Sequence, residues 1–320
     1  MKSKILITCL ILLLIIFAGV MYGSTNLTLK DLGSSTIVNT IILKIRFPRV
    51  LVAFIIGASL SISGLCIQSL LKNPLASPYT LGVSNGAGLA ATIAFVFKLN
   101  FLGVYTTQFV AFIGALITIY LVIKFVSLID SNLTNETIVL TGMILSLFLG
   151  ALISLIMLLN LEDSKRILLF LSGSIALKGW DEIILMLPFF IFCSVYLFIR
   201  SKQIDILSFG EEDAHSLGVN VKKLKREIMI LTSLLTASAV AICGVIGFIG
   251  LVVPHISRKL FRSNHVLTIP MSAIIGGGFL IATDLIARTI APPIELPVGA
   301  ITALIGAPFF AIIYIARRRG

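Results

Sequence analysis

Residues 228–263 read IMILTSLLTASAVAICGVIGFIGLVVPHISRKLFRS, with no charged residue before Arg258 apart from His255 if protonated. A helix crosses the hydrocarbon core of a bilayer with about 20 apolar residues. The stretch is too long for one crossing and too apolar for a water-soluble surface. Gly244, Gly247, Gly250 and Pro254 interrupt it, which predicts a helix, a turn and a shorter helix. Outward from it, apolar runs recur at 5–22, 49–71, 79–97, 102–126, 137–160, 183–199, 228–246, 249–263, 267–287 and 297–316. They predict an all-α polytopic membrane protein with about ten transmembrane helices.

Composition agrees. Of the 320 residues, 58% are hydrophobic and 12% charged, against about 45–50% and about 25% in soluble domains. Mean hydropathy is +1.10. These values exclude a soluble enzyme, a nucleic-acid binder and a disordered chain. The net charge of +11 is read as loops biased by the positive-inside rule and drawn to anionic lipid headgroups. Cys9, Cys66, Cys193 and Cys243 each lie in an apolar run, without CxxC spacing, and are expected to be packing residues rather than metal ligands.

Charge placement orients the spans. Lys2 and Lys4 precede the apolar run Ile5–Val20, and Ala18–Tyr22 is a poor cleavage site, so the first run is expected to be an uncleaved signal-anchor. Ten spans put both termini in the cytoplasm. Sixteen of the 25 Lys and Arg then fall inside: Lys2, Lys4, Lys72, Lys124, Arg200, Lys202, Lys222, Lys223, Lys225, Arg226, Arg258, Lys259, Arg262 and Arg317 to Arg319. Nine spans would strand the last three outside. The chain is a single transmembrane domain over 1–320, and its largest polar stretch, about 200–227, is expected to form one or two short cytoplasmic surface helices. An external stretch, 161–182, carries Ile167–Leu171, which would dip into the interface beside Trp180.

The sequence contains no GxxxxGK[ST] loop, so no nucleotide is expected on this chain through a P-loop, and no HExxH. His215, His255 and His265 are scattered. Asp284 is the clearest acidic residue within a span, and Arg288 follows at i+4, which predicts a local ion pair rather than a proton relay. Small residues are dense at Gly57, Ala58, Ser59, Ser61, Ser63 and Gly64, and again at Gly82, Ser84, Gly86 and Gly88, which predicts close helix approach.

Three stretches carry a family resemblance. They are Ile45–Arg49 followed by GASLSISGLCIQSLLKNPLASPYTLGVSNGAGL (57–89), SFGEEDAHSLGV (208–219), and GVIGFIGLVVPHISRKL (244–260) with DLIARTIAPPIELPVGAITALIGAPFF (284–310). Together, in order along nearly the whole chain, they resemble the permeases of ABC importers for iron–siderophore complexes, haem and cobalamin. The resemblance implies ten spans and a pair of permeases, identical or paralogous. It also implies two cytoplasmic ATPase subunits that bind the ATP, and an extracytoplasmic binding protein that delivers cargo. This chain would hold no cofactor, catalyse nothing itself and sit in a bacterial cytoplasmic membrane. An ion-coupled secondary transporter is the alternative from another class.

The same resemblance assigns residues. Glu212-Asp213-Ala214 with Gly218 is similar to the EAA-type coupling motif, with Asp at the middle place, so Glu211, Glu212, Asp213, Ala214, Leu217 and Gly218 are expected at the ATPase. A short helix opening on three acids suits the helix dipole, and Gly218 would end it. Arg46, Arg49 and Arg288 lie outside, with Lys44, against the usual bias. They are expected as exposed span-end arginines that pair with acids on the binding protein. Asn73 and Leu75 in one cytoplasmic loop, with Asn135 and Glu136 at the start of span five, are expected to narrow the inner end of the path.

Overall fold

The computed structural model describes residues 2–23, 38, 40–130, 132–261 and 264–319. Among them are thirteen α-helices and no strand. In chain order they are α1 (Lys2–Met21), α2 (Phe47–Leu70), α3 (Val83–Val96), α4 (Thr106–Ile129), α5 (Asn135–Leu159), α6 (Leu161–Leu171), α7 (Trp180–Ile199), α8 (Ser201–Phe209), α9 (Glu211–Ser216), α10 (Val221–Cys243), α11 (Ile249–Phe261), α12 (His265–Thr289) and α13 (Val298–Arg319). Arg262 lies outside the described residues.

Helix α2 is the axis of the bundle. Its most apolar window is 89% buried, whereas those of α1 and α5 are 11% buried and present their apolar faces outward, as lipid-facing helices do. Packing around α2 follows from its glycines. A Cβ on Gly57 would overlap the Gly276 carbonyl of α12, and one on Gly64 would overlap the Gly250 carbonyl of α11. With no side chain, the backbones meet directly. Buried hydroxyls add cross-helix bonds: Ser61 donates to the Ser272 carbonyl at 2.6 Å and Ser63 to the Thr232 carbonyl at 3.1 Å.

Among the described residues seven helices are long and apolar enough to cross a membrane; the run at 79–97 gives a shorter apolar helix, Val83–Val96, the run at 249–263 gives the thirteen-residue α11, and the run at 297–316 gives an apolar stretch, Val298–Phe309, within α13. In the first, Pro78 and Gly82 hold a 3₁₀ turn at Pro78–Leu81, so the helix begins only at Val83. In the second, Gly244 (φ +74°) ends α10 and residues 244–248 run non-helically before α11. At 1.5 Å per residue the thirteen residues of α11 reach only about 20 Å. The two interrupted segments meet where the Tyr79 hydroxyl donates to the Ile246 carbonyl. The polar stretch 200–227 forms two short helices, α8 and α9, before α10 starts. They are not purely superficial, since Ile204, Leu207 and Ala214 are buried. Residues 161–171 form the amphipathic α6 with Ile167 buried, and Trp180 opens α7, its indole N–H donating to the Leu43 carbonyl.

Candidate functional site

Helix α9 projects from one end of the bundle. Glu211, Glu212 and Asp213 fill its first turn. Its C-terminus closes as a Schellman motif: Gly218 donates to the His215 carbonyl at 3.0 Å and Val219 to that of Ala214 at 2.9 Å. Gly218 takes φ +80°, which a Cβ would strain. Ala214 is buried and anchors the helix, while Glu212, Asp213 and Leu217 face out. Leu217 is 68% exposed and Phe209, just before α9, is 79% exposed. Two large apolar side chains are thus exposed within an otherwise polar segment. Beside them opens a groove of about 960 Å³, bordered by Asn132 and Thr134 of the α4–α5 loop and by Glu212, His215 and Lys222.

Glu211 also has an internal partner. Its Oε1 accepts from Lys225 Nζ at 2.7 Å, and Lys225 donates in addition to the Leu133 carbonyl at 2.7 Å. The loop that carries Leu133 is held by Asp130, whose carboxylate accepts from the Asn132 and Thr134 amides at 2.8 and 2.7 Å. Bonds from Thr134, then from Asn132, hold the Asp130 carboxyl down at about 2.

Helix α8 has a tie of its own. Asp205 accepts from His265 Nδ1 at 2.5 Å and from the His265 backbone amide at 3.0 Å, and His265 Nε2 meets Ser69 Oγ at 2.6 Å. The connectivity is that of a hydrolase triad, but Ser69 lies inside α2 with its hydroxyl bonded back to the Leu65 carbonyl. Helical backbone there offers no spare N–H pair for an oxyanion, so the trio is a strut between α8, α12 and the end of α2. Gly82-Val83-Ser84-Asn85-Gly86 has G-x-S-x-G spacing, but Ser84 Oγ is buried with no partner and so no base. No cluster of His, Cys, Asp or Glu among the described residues could hold a metal.

Both pairs of expected gate residues lie at the α9 end. Asn73 Oδ1 caps the Leu75 amide at 2.9 Å, and Leu75 is 49% exposed. Asn135 and Glu136 open α5, and Asn135 Oδ1 is buried without a partner. Among the described residues no hydrogen bond or ion pair joins one pair to the other.

The arginines cluster at the opposite end, and there the expectation of exposure is corrected. Arg46, Arg49 and Arg288 are 4%, 8% and 3% exposed. Arg49 grips Asp284 through Nη2 at 2.8 Å and Nε at 3.1 Å, and reaches Glu295 at 3.0 Å. The predicted Asp284–Arg288 pair is present at 3.5 Å. Arg288 also donates to the Gly19 carbonyl at 2.6 Å, and Arg46 to the Val20 and Met21 carbonyls. The α1 C-terminus, carrying partial negative charge, draws both guanidiniums inward. Lys44 is exposed beside them. Sequence spacing exposes an i,i+4 pair, but it gave no sign that Arg49, 235 positions away, completes it.

The sequence matches the FecCD transport family over residues 10–318. The chain belongs to that family. An ABC transporter permease of Bacillus subtilis, YvrB, is 46% identical over 282 residues, covering 88% of this chain and 80% of that one. The Fe(3+) dicitrate permease FecD of Escherichia coli is 35% identical, covering 87% and 86%. Other relatives carry cobalamin or hemin in their names. A solved chain described as a metal-chelate type ABC transporter in an inward-facing conformation superposes with a TM-score of 0.90 at 30% identity, covering 99% of this chain and 100% of that one. This FecCD member is therefore the permease of a metal-chelate type ABC importer, a multi-pass membrane protein and not the ATPase.

Proposed function

We propose that this permease imports an iron–siderophore complex across the bacterial cytoplasmic membrane, using ATP hydrolysed on two partner subunits. α9 carries the reading: a capped, acid-opened helix flanked by the exposed Phe209 and Leu217 is built to lodge in another protein. That partner is the ATPase, and Glu212, Asp213, Leu217 and Gly218 meet it. The α9 end faces the cytoplasm, both termini lie on that side, and α3, α11 and α13 bring the crossings to ten. Asn73, Leu75, Asn135 and Glu136 narrow the path there. A second permease, identical or paralogous, completes the pathway, and lipid surrounds the pair. The chain holds no cofactor of its own.

A binding protein docks at the opposite end. Arg46, Arg49 and Arg288 set its charge: three guanidiniums against Asp284 and Glu295 leave one positive unit, to which exposed Lys44 adds another. With the guanidiniums buried, they shape and charge the face from below, and the rim makes first contact. Iron–siderophore cargo is favoured by the ferric dicitrate relative; haem or cobalamin is the second reading, favoured by relatives so named. Glu212→Lys tests the coupling assignment. Uptake should be lost while the permease stays in the membrane. Normal uptake in a variant that still co-purifies with its ATPase would refute it. Metal and ligand analysis of the purified binding protein identifies the cargo.

A further inference from the structure

Lys225 is among the largest fully buried side chains of the described residues and carries a charge. It lies one turn into α10, where its ammonium has no access to water. A charge so placed is tolerated only with good partners. Its two partners belong to different elements. Glu211 is the first residue of α9, and Leu133 is the last but one before α5.

The Leu133 contact is built at a cost. Leu133 is fully buried and takes φ +55°, a left-handed conformation that disfavours a Cβ by about 1–2 kcal/mol. Such strain persists only where the surroundings over-determine it. Here Asp130 fixes the loop from within and Lys225 takes the Leu133 carbonyl from without. Two residues on come Asn135 and Glu136.

We propose that Lys225 is a positioning residue for coupling, joining α9 to the start of α5. When the ATPase displaces α9, Glu211 moves with it, Lys225 follows its carboxylate, and the Leu133 loop carries the shift into Asn135 and Glu136. One buried ammonium thus links the coupling helix to one side of the gate. The inference rests on the reading of α9 as the ATPase contact, and the two fail separately.

The test uses the complete complex of permease and ATPase in lipid nanodiscs. Glu136→Cys is labelled with a membrane-impermeant maleimide, without nucleotide and after trapping with ATP and vanadate. With Lys225 in place the labelling rate should change by about fivefold or more on trapping, the lower range of allosteric coupling. In Lys225→Met the change should vanish while the trapped nucleotide per complex stays the same. Lys225→Arg, which keeps a charged donor, should restore part of it. A role confined to holding the fold together would lower assembly or trapping without abolishing the response of complexes that do trap. A full response in Lys225→Met overturns the proposal, as does no response with Lys225 present. If Lys225→Met does not assemble, Glu211→Ala decides, because it cuts the α9 end and leaves the Leu133 bond. The same loss is expected, and a full response overturns the proposal. Separately, Ser216→Cys should cross-link to the ATPase with Lys225 native. Failure of that cross-link overturns the reading of α9 itself.

Discussion

Asp284→Ala removes the carboxylate on which two buried guanidiniums converge. Arg49 loses contacts at 2.8 and 3.1 Å and Arg288 loses one at 3.5 Å. The Arg49 side chain is 9% exposed and that of Arg288 3%, so water replaces little of what is lost. Removing one partner of a buried pair costs about 3–5 kcal/mol. Arg49 keeps Glu295 at 3.0 Å and Arg288 keeps the Gly19 carbonyl at 2.6 Å, which places the cost near the lower bound, about 3 kcal/mol. At roughly 2–4 °C per kcal/mol, the Tm in detergent should fall by about 6–12 °C. Glu295→Gln is the control. Its carboxylate is 30% exposed and the amide can still accept from Arg49, so less than about 1 kcal/mol is expected. A double-mutant cycle of Arg49→Ala with Asp284→Ala should return a coupling energy of about 1–3 kcal/mol. A Tm for Asp284→Ala within about 2 °C of the parent, or a cycle with no coupling, would refute the burial argument.

The other predictions concern packing, pH and docking. Gly64→Val drives a side chain into the Gly250 carbonyl and should abolish recovery of folded permease, whereas Gly179→Ala, which meets nothing within 4 Å, should leave yield unchanged; size-exclusion profiles compare them. Because Asp130 is held at about 2, its support of the Leu133 loop is present above the usual aspartate value and is lost as pH falls from about 4 to about 2. Protection of the Asn132 and Thr134 amides against hydrogen exchange should therefore be flat from neutral pH to about 5 and collapse only below about 4. Lys44→Glu on the exposed rim should slow binding-protein association at low salt and matter little at 1 M, where the Debye length is about 3 Å; an equal effect at both would exclude steering. Arg46→Glu with Arg49→Glu should abolish uptake, but through a lowered Tm as well as slower association, since both residues are buried.

The helical membrane fold was legible because apolar runs report it directly, and the Gly244 break was legible because glycine and a short following helix leave a mark in sequence. The span count was less so. Hydropathy sees α3 and α11 as runs, but length in the folded chain depends on where Pro78, Gly82 and Gly244 stop the helix. The α9 cap was readable because Gly218 and three acids are adjacent in sequence. Burial of the arginines was not, because it depends on Asp284, Glu295 and the α1 carbonyls meeting them from distant helices. Lys225 read as one more inside-facing cation; nothing near it in sequence marks the loop carbonyl it takes.

The most direct measurement is uptake of a radiolabelled iron–siderophore complex, delivered by the binding protein, into liposomes containing the permease and its ATPase. The account predicts accumulation that requires ATP on the ATPase side, stops in Glu212→Lys, and persists when proton and sodium gradients are collapsed. Accumulation driven by either gradient without ATP, or undiminished in Glu212→Lys, would contradict it.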